Sequence, residues 1–220
     1  METINKSTLS FLSELKKNNN REWFQKNQPL YRDAKDNFES FIREVIKGIT
    51  VFEPIIKGLE AKSCIFRINR DIRFTNDKSP YKPNFGAFIV RGGKKNGDKF
   101  AGYYLHVEPG ESFIAGGAYV PPSPWLSAIR EKIDQEPVQF KKIINHKDFI
   151  KYFHQLDGEK LKTPPRGYSS DNPNIELLKF KSYLAMNSVP DKKLLSQDYY
   201  NYVIEVLKAM KPLNDFLNDL

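Results

Sequence analysis

The chain has 220 residues, 40% of them apolar and 13% aromatic, enough to bury a large core without metal or disulfide staples. Its formal net charge is +8, and its single cysteine excludes both an intramolecular disulfide and a multi-cysteine zinc site. No apolar run approaches the roughly 20 residues that span a bilayer, and the polar 1–17 stretch lacks a signal peptide's apolar centre, so no membrane partner and a cytoplasmic location are expected.

Taken in order, Ser7 is placed to cap a first helix with Leu9, Leu12 and Leu15 on one side, ended by the asparagine run 18–20. Asn20 then caps a short helical segment over 21–27 that bears Trp23 and Phe24, with Trp23 read as a core anchor. Pro29 suits the first turn of a longer helix. Within it Tyr31, Ala34, Phe38, Phe41, Val45 and Ile49 recur every three or four residues, Ile42 and Ile46 widen the stripe, and Gly48 and Pro54 bracket its end. The period then changes. Over 63–69, Cys64, Phe66 and Ile68 alternate with Ser63, Ile65, Arg67 and Asn69, which predicts a strand with Cys64 in a buried apolar role. A turn follows over 76–80, where Asn and Asp close local hydrogen bonds and Pro fixes φ. Further strands are predicted over 85–91, 99–108 and 112–120, the last two joined by a tight turn at Pro109, Gly110 and Glu111. Connections this short exclude parallel neighbours, so the sheet is antiparallel.

Beyond it, Ser123 and Pro124 start a helix with Trp125, Leu126, Ile129 and Ile133 facing inward, and 137–153 is helical. Two prolines and a glycine make 162–168 irregular. A short helix is expected over 175–183. Ser196 caps a last helix whose stripe is Tyr200, Val203, Ile204 and Leu207, bent or broken at Pro212. No linker divides the chain, so the expectation is a single α+β domain over 1–220. Its central antiparallel sheet of at least four strands (about residues 63–120) is flanked by N-terminal and C-terminal helices.

Charge is concentrated. Between Lys62 and Lys99 there are ten Lys/Arg against three Asp, a net +7, which points to an anionic partner: phosphate, carboxylate or nucleic acid. Arg67, Arg70 and Arg73 follow one another at three-residue steps, and a curl there would aim all three forks at one oxyanion, with Lys78 and Lys82 adding charge. The competing reading is that Asp71 and Asp77 pair with these cations and fasten the loop. Asp77-Lys78-Ser79 lacks the glycines of a phosphate-binding loop, which excludes a nucleoside triphosphatase.

On the 99–108 strand, alternation puts Phe100, Gly102, Tyr104, His106 and Glu108 on one face. His106 and Glu108, about 7 Å apart along the strand, are the candidate acid/base pair. The alternative is a buried histidine hydrogen-bonded across the hairpin. Two such ligands fall short of the three usual in catalytic zinc, and His146 and His154 in a charged helical region add none, so no metal site is expected. Ser79 and Ser112 are nucleophile candidates by elimination only. A rigid loop, Pro164-Pro165-Arg166-Gly167-Tyr168, presents Arg166 and Tyr168 either to a ligand held by the arginines or to the body of the protein as a plain link.

Four segments carry a family resemblance: 20–24 with Asn27 and Tyr31; Arg67 to Phe74 running on through Asp77 to Lys82; 102–109, reading Gly-Tyr-Tyr-Leu-His-Val-Glu-Pro; and 164–168. Together they resemble the uncharacterised family known as domain of unknown function 2461, over nearly the whole chain. The resemblance implies one domain of that family's type and brings no established activity. Asn172-Pro173 follows Asp171 where the resemblance implies Asp-His-Pro, so no histidine acts there.

Three functions remain in view. One is an enzyme or small-molecule binder with an anion pocket on the sheet, the ligand held by Arg67, Arg70, Arg73 and Lys82 while His106 and Glu108 handle protons. The second is a nucleic-acid-binding module using the basic 62–99 window, and the third a structural or interaction protein. The sequence favours the first, because the cations alternate with apolar residues and Asp as in a shaped pocket.

Overall fold

In the computed structural model of the chain, which describes residues 3–73 and 76–220, three helices open the fold: α1 (Lys6–Lys17), α2 (Arg21–Lys26) and α3 (Gln28–Thr50). The Asn20 side chain accepts from the Trp23 amide and caps α2 as predicted. Ser7 lies inside α1, which starts behind Asn5. The α3 stripe of Ala34, Phe38, Phe41, Ile42, Val45, Ile46 and Ile49 is buried throughout, and the helix runs on through Gly48.

The sheet has four strands in the order β1 (Phe85–Ile89), β2 (Gly102–Val107), β3 (Phe113–Ala118) and β4 (Tyr183–Ser188), each antiparallel to its neighbour. Three fall in the predicted window; the fourth arrives from far downstream. The segment 63–69 is not a strand of the sheet. Ser63 Oγ donates to the Glu60 carbonyl and closes a helical turn, α4 (Ala61–Cys64). The chain then lies beside β1 just long enough for Ile65 to bridge Ala87, and Asn69 bridges Tyr81 ahead of that strand. The helix expected over 175–183 stops at Leu178, because Phe180 pairs back with Lys160 and Tyr183 enters the sheet.

The remaining helices are α5 (Ser123–Gln135), α6 (Pro137–Ile144), α7 (Lys147–Phe153), α8 (Ile175–Leu178), α9 (Asp191–Leu194) and α10 (Tyr199–Asn218). The predicted 137–153 helix is two, since the His146 side chain accepts from the Asp148 amide and restarts it. Pro212 sits inside α10 without ending it. A helix-interior proline costs about 3 kcal/mol, but Leu213, Phe216 and Leu217 beyond it are buried, at about 1.5–3 kcal/mol each. Burial wins.

One face of the sheet, with Ala87, Tyr103, Leu105, Ile114 and Ala185, packs against α3 and α10, and nearly all the buried apolar residues form one connected cluster. The other face bears Phe88, Tyr104, His106, Phe113 and Leu184, all half-buried, and exposed Met186. It stays partly open to solvent. No described helix is long and apolar enough to cross a membrane.

Candidate functional site on the open face of the sheet

His106 occupies the middle of a hydrogen-bonded line. Its Nε2 lies 3.0 Å from Glu108 Oε2, and its Nδ1 lies 3.1 Å from the Tyr104 hydroxyl and 3.4 Å from the Asn84 amide. A carboxylate only accepts, so Nε2 carries the proton and Nδ1 accepts from Tyr104, with Asn84 a longer second donor. The Phe113 ring stacks on the imidazole, centroids 4.5 Å apart. Burial lowers the His106 pKa; the Glu108 hydrogen bond and charge pull the other way without overcoming it. The imidazole is therefore neutral at pH 7, although it touches a carboxylate. Burial, then Glu108 and Tyr119, push the Tyr104 hydroxyl up to about 12, so it keeps its proton.

Glu108 is itself held from two sides. Its Oε1 accepts from Lys16 Nζ of α1 at 3.1 Å, and Lys16 also reaches Glu111 at 3.2 Å. Ser112 Oγ accepts from the Glu108 amide and donates to the Glu108 carbonyl, which commits this buried serine to the turn and not to attack on a substrate. A neutral imidazole set between a hydroxyl and an anchored carboxylate can take a proton on Nδ1 while Glu108 stabilises the resulting cation.

The basic residues divide into two groups. Backbone bonds from Arg70 to Pro80 and from Lys82 to Ile68 zip 65–70 against 80–82, and the Asn19 side chain clamps Tyr81 through its amide and its carbonyl. This brings Arg67, Arg70 and Lys82 together. Lys82 Nζ donates to the Arg67 carbonyl at 3.0 Å and stands 5.6 Å from the centre of the Phe66 ring. Its pKa is lowered by burial first and then by the charges of Arg67 and Arg70. Arg70 pairs with Asp77 at 3.1 Å. The other two cations serve the loop itself. Arg73 grips Asp71 with two side-chain bonds of 2.9 and 2.7 Å and holds that carboxyl far below the usual range, and Lys78 Nζ donates to the Ile72 carbonyl. Ser79 donates its amide to Asp77 and helps form the same turn.

Arg166 and Tyr168 stand elsewhere. Arg166 is exposed, while Tyr168 is half-buried, its pKa raised by burial and then by Asp134 and Glu131 of α5. Tyr168 is near enough to Tyr183 for its charge to be felt there. Tyr183 pairs with Ala118, at the far end of β3 from Phe113, the partner of His106. Five residues of strand, about 17 Å, separate those rows. In the same region Asn172 donates to Asp134 at 2.6 Å and fastens its loop to α5. Lys16, Asn84, Phe66 and Phe113 join the site without having been singled out from the sequence; Tyr104 was placed on the right face but given no role.

Two clefts lie away from all of these groups. One, of about 430 Å³, lies among residues 52–55, Phe100 and the end of α10; the other, of about 360 Å³, lies between α1, α2 and α3. The candidate site lies on the partly solvent-exposed face of the sheet, with a basic edge, and in neither of these clefts. Among the described residues no group of three or more His, Cys, Asp or Glu could hold a metal ion.

Residues 7–216 match the family described as conserved hypothetical protein, DUF2461. The chain belongs to this family. The match takes in α1 through nearly all of α10, and so includes Lys16, the 65–82 ribbon and the His106 line alike. No curated protein and no solved structure matches the chain.

Proposed function

We propose that this cytoplasmic protein binds a phosphate- or carboxylate-bearing ligand at the basic edge of the open sheet face, with the Tyr104, His106 and Glu108 line placed to move a proton on it. One observation carries the reading. Half-buried Lys82 is crowded by Arg67 and Arg70, and among the described residues its Nζ is held by a carbonyl and by no carboxylate. Lys82 feels the charges of both arginines although Arg70 pairs with Asp77, and a bound anion removes that repulsion. The purely structural reading fits Arg73 and Lys78, which the loop's own groups occupy.

Titration calorimetry with pyrophosphate tests it. The protein should bind at low ionic strength, and the double variant Arg67→Ala, Lys82→Gln, both changes near the surface, should bind at least tenfold more weakly. Equal affinity in the variant overturns the reading.

A further inference from the structure

The rings on the open face form a continuous row running inward from the basic edge. Phe66, 39% exposed, meets Tyr104 edge-on at 6.2 Å; Tyr104 meets Phe113 at 5.7 Å; and Phe113 stacks on His106 at 4.5 Å. Beyond the row lie Met186, 42% exposed, and Tyr119, 72% exposed. Phe66 is the exposed end of this row and Tyr104 and Phe113 are half-buried behind it, so a flat ligand reaches the row from the basic edge. Val120, next to Tyr119, has φ +43°, unusual for a β-branched residue, and its amide is tied to Ser182 Oγ.

We propose that this face takes single-stranded nucleic acid, with bases stacked along Phe66, Tyr104 and Phe113 and backbone phosphates on Arg67 and Lys82. The inference rests on the anion site proposed above and names its ligand. Three features select a polymer with unpaired bases. The row of rings is longer than one base, and stacking is open to any base because each has a π-face. The row lies on a face of the sheet and in neither of the two clefts described above. The charge is complementary at two places: Lys82 stands over Phe66 with Arg67 next to it in the chain, while exposed Lys95 and Lys99 belong to the turn that leans on Phe88, where a Cβ on Gly97 would lie 3.1 Å from the ring. A duplex hides the base faces that such a row would need.

Fluorescence anisotropy of the full chain with a labelled ten-nucleotide thymidine strand, the matching duplex and free thymidine monophosphate tests this across a salt series. The strand should bind at least tenfold tighter than either alternative, with log affinity falling linearly in log salt. Phe66→Ala should weaken the strand at least fivefold at an unchanged salt slope, with Phe66→Tyr restoring it, while Arg67→Ala should flatten the slope by about one. Duplex or mononucleotide bound as tightly as the strand, or Phe66→Ala without effect, overturns the proposal. If pyrophosphate binds and no oligonucleotide does, this inference fails and the anion site stands; if neither binds, both fail.

Discussion

Neutral His106 is buffered by its partners, and its protonation sets an acid limit on stability. Burial puts its folded pKa below the usual value of about 6.5, so the unfolded chain takes up the proton first. The stability this group contributes is whole above pH about 6.5 and is lost as pH falls through the folded value. Thermal melts between pH 7.5 and 5 should show this acid slope, and His106→Gln should reduce it; an unchanged slope would assign it to other groups. Glu108 works against burial, so Glu108→Gln should lower the His106 pKa further, read from the imidazole proton shifts in an NMR titration. Truncation to Ala leaves the half-buried His106 N–H without its acceptor, while Lys16 keeps Glu111, and Glu108→Ala should cost about 1–3 kcal/mol in urea denaturation. Strand alternation made the common face of Tyr104, His106 and Glu108 legible in the sequence. Lys16 was not legible, because it lies 92 residues from Glu108 and meets it only once α1 docks beside the β2–β3 turn.

At the scale of the element, close approach and burial decide more than local propensity. Gly116 of β3 is an example: a Cβ there would lie 2.4 Å from the Gly102 carbonyl oxygen and 2.1 Å from Met210 Sδ of α10. The sulfur can swing away, but the carbonyl belongs to the neighbouring strand. Gly116→Ala should therefore cost about 1–3 kcal/mol and loosen α10 from the sheet, seen as faster amide exchange across β2 and β3. Pro212 is the opposite case, a residue the helix tolerates. Pro212→Ala supplies the missing amide donor, and should stabilise the protein by about 1–2 kcal/mol once the proline's stiffening of the unfolded chain is discounted. Amphipathic α3 could be read directly from its three- and four-residue spacing. The strand β4 could not, because Tyr183 to Ser188 follows a helical turn closely and only Tyr183 and Ala185 are buried.

Across the whole molecule, the layer order of helices, sheet and helices was legible because three of the four strands follow one another over 85–118, between the amphipathic helices on either side. The basic window was legible too, but its partner class was not. In the sequence the cations alternate with apolar residues and Asp, which favours a pocket; the half-buried rings on the adjoining face become visible only in the fold. Composition alone carries no such information. The late arrival of β4 has a further consequence, for synthesis. Sixty-four residues separate Ala118 from Tyr183, so at about 5–20 residues per second the outer edge of β3 waits several seconds for its partner. Until then its unpaired amides and carbonyls are a template for another chain. A chain cut at residue 170 should accordingly form aggregates in light scattering where the whole one does not.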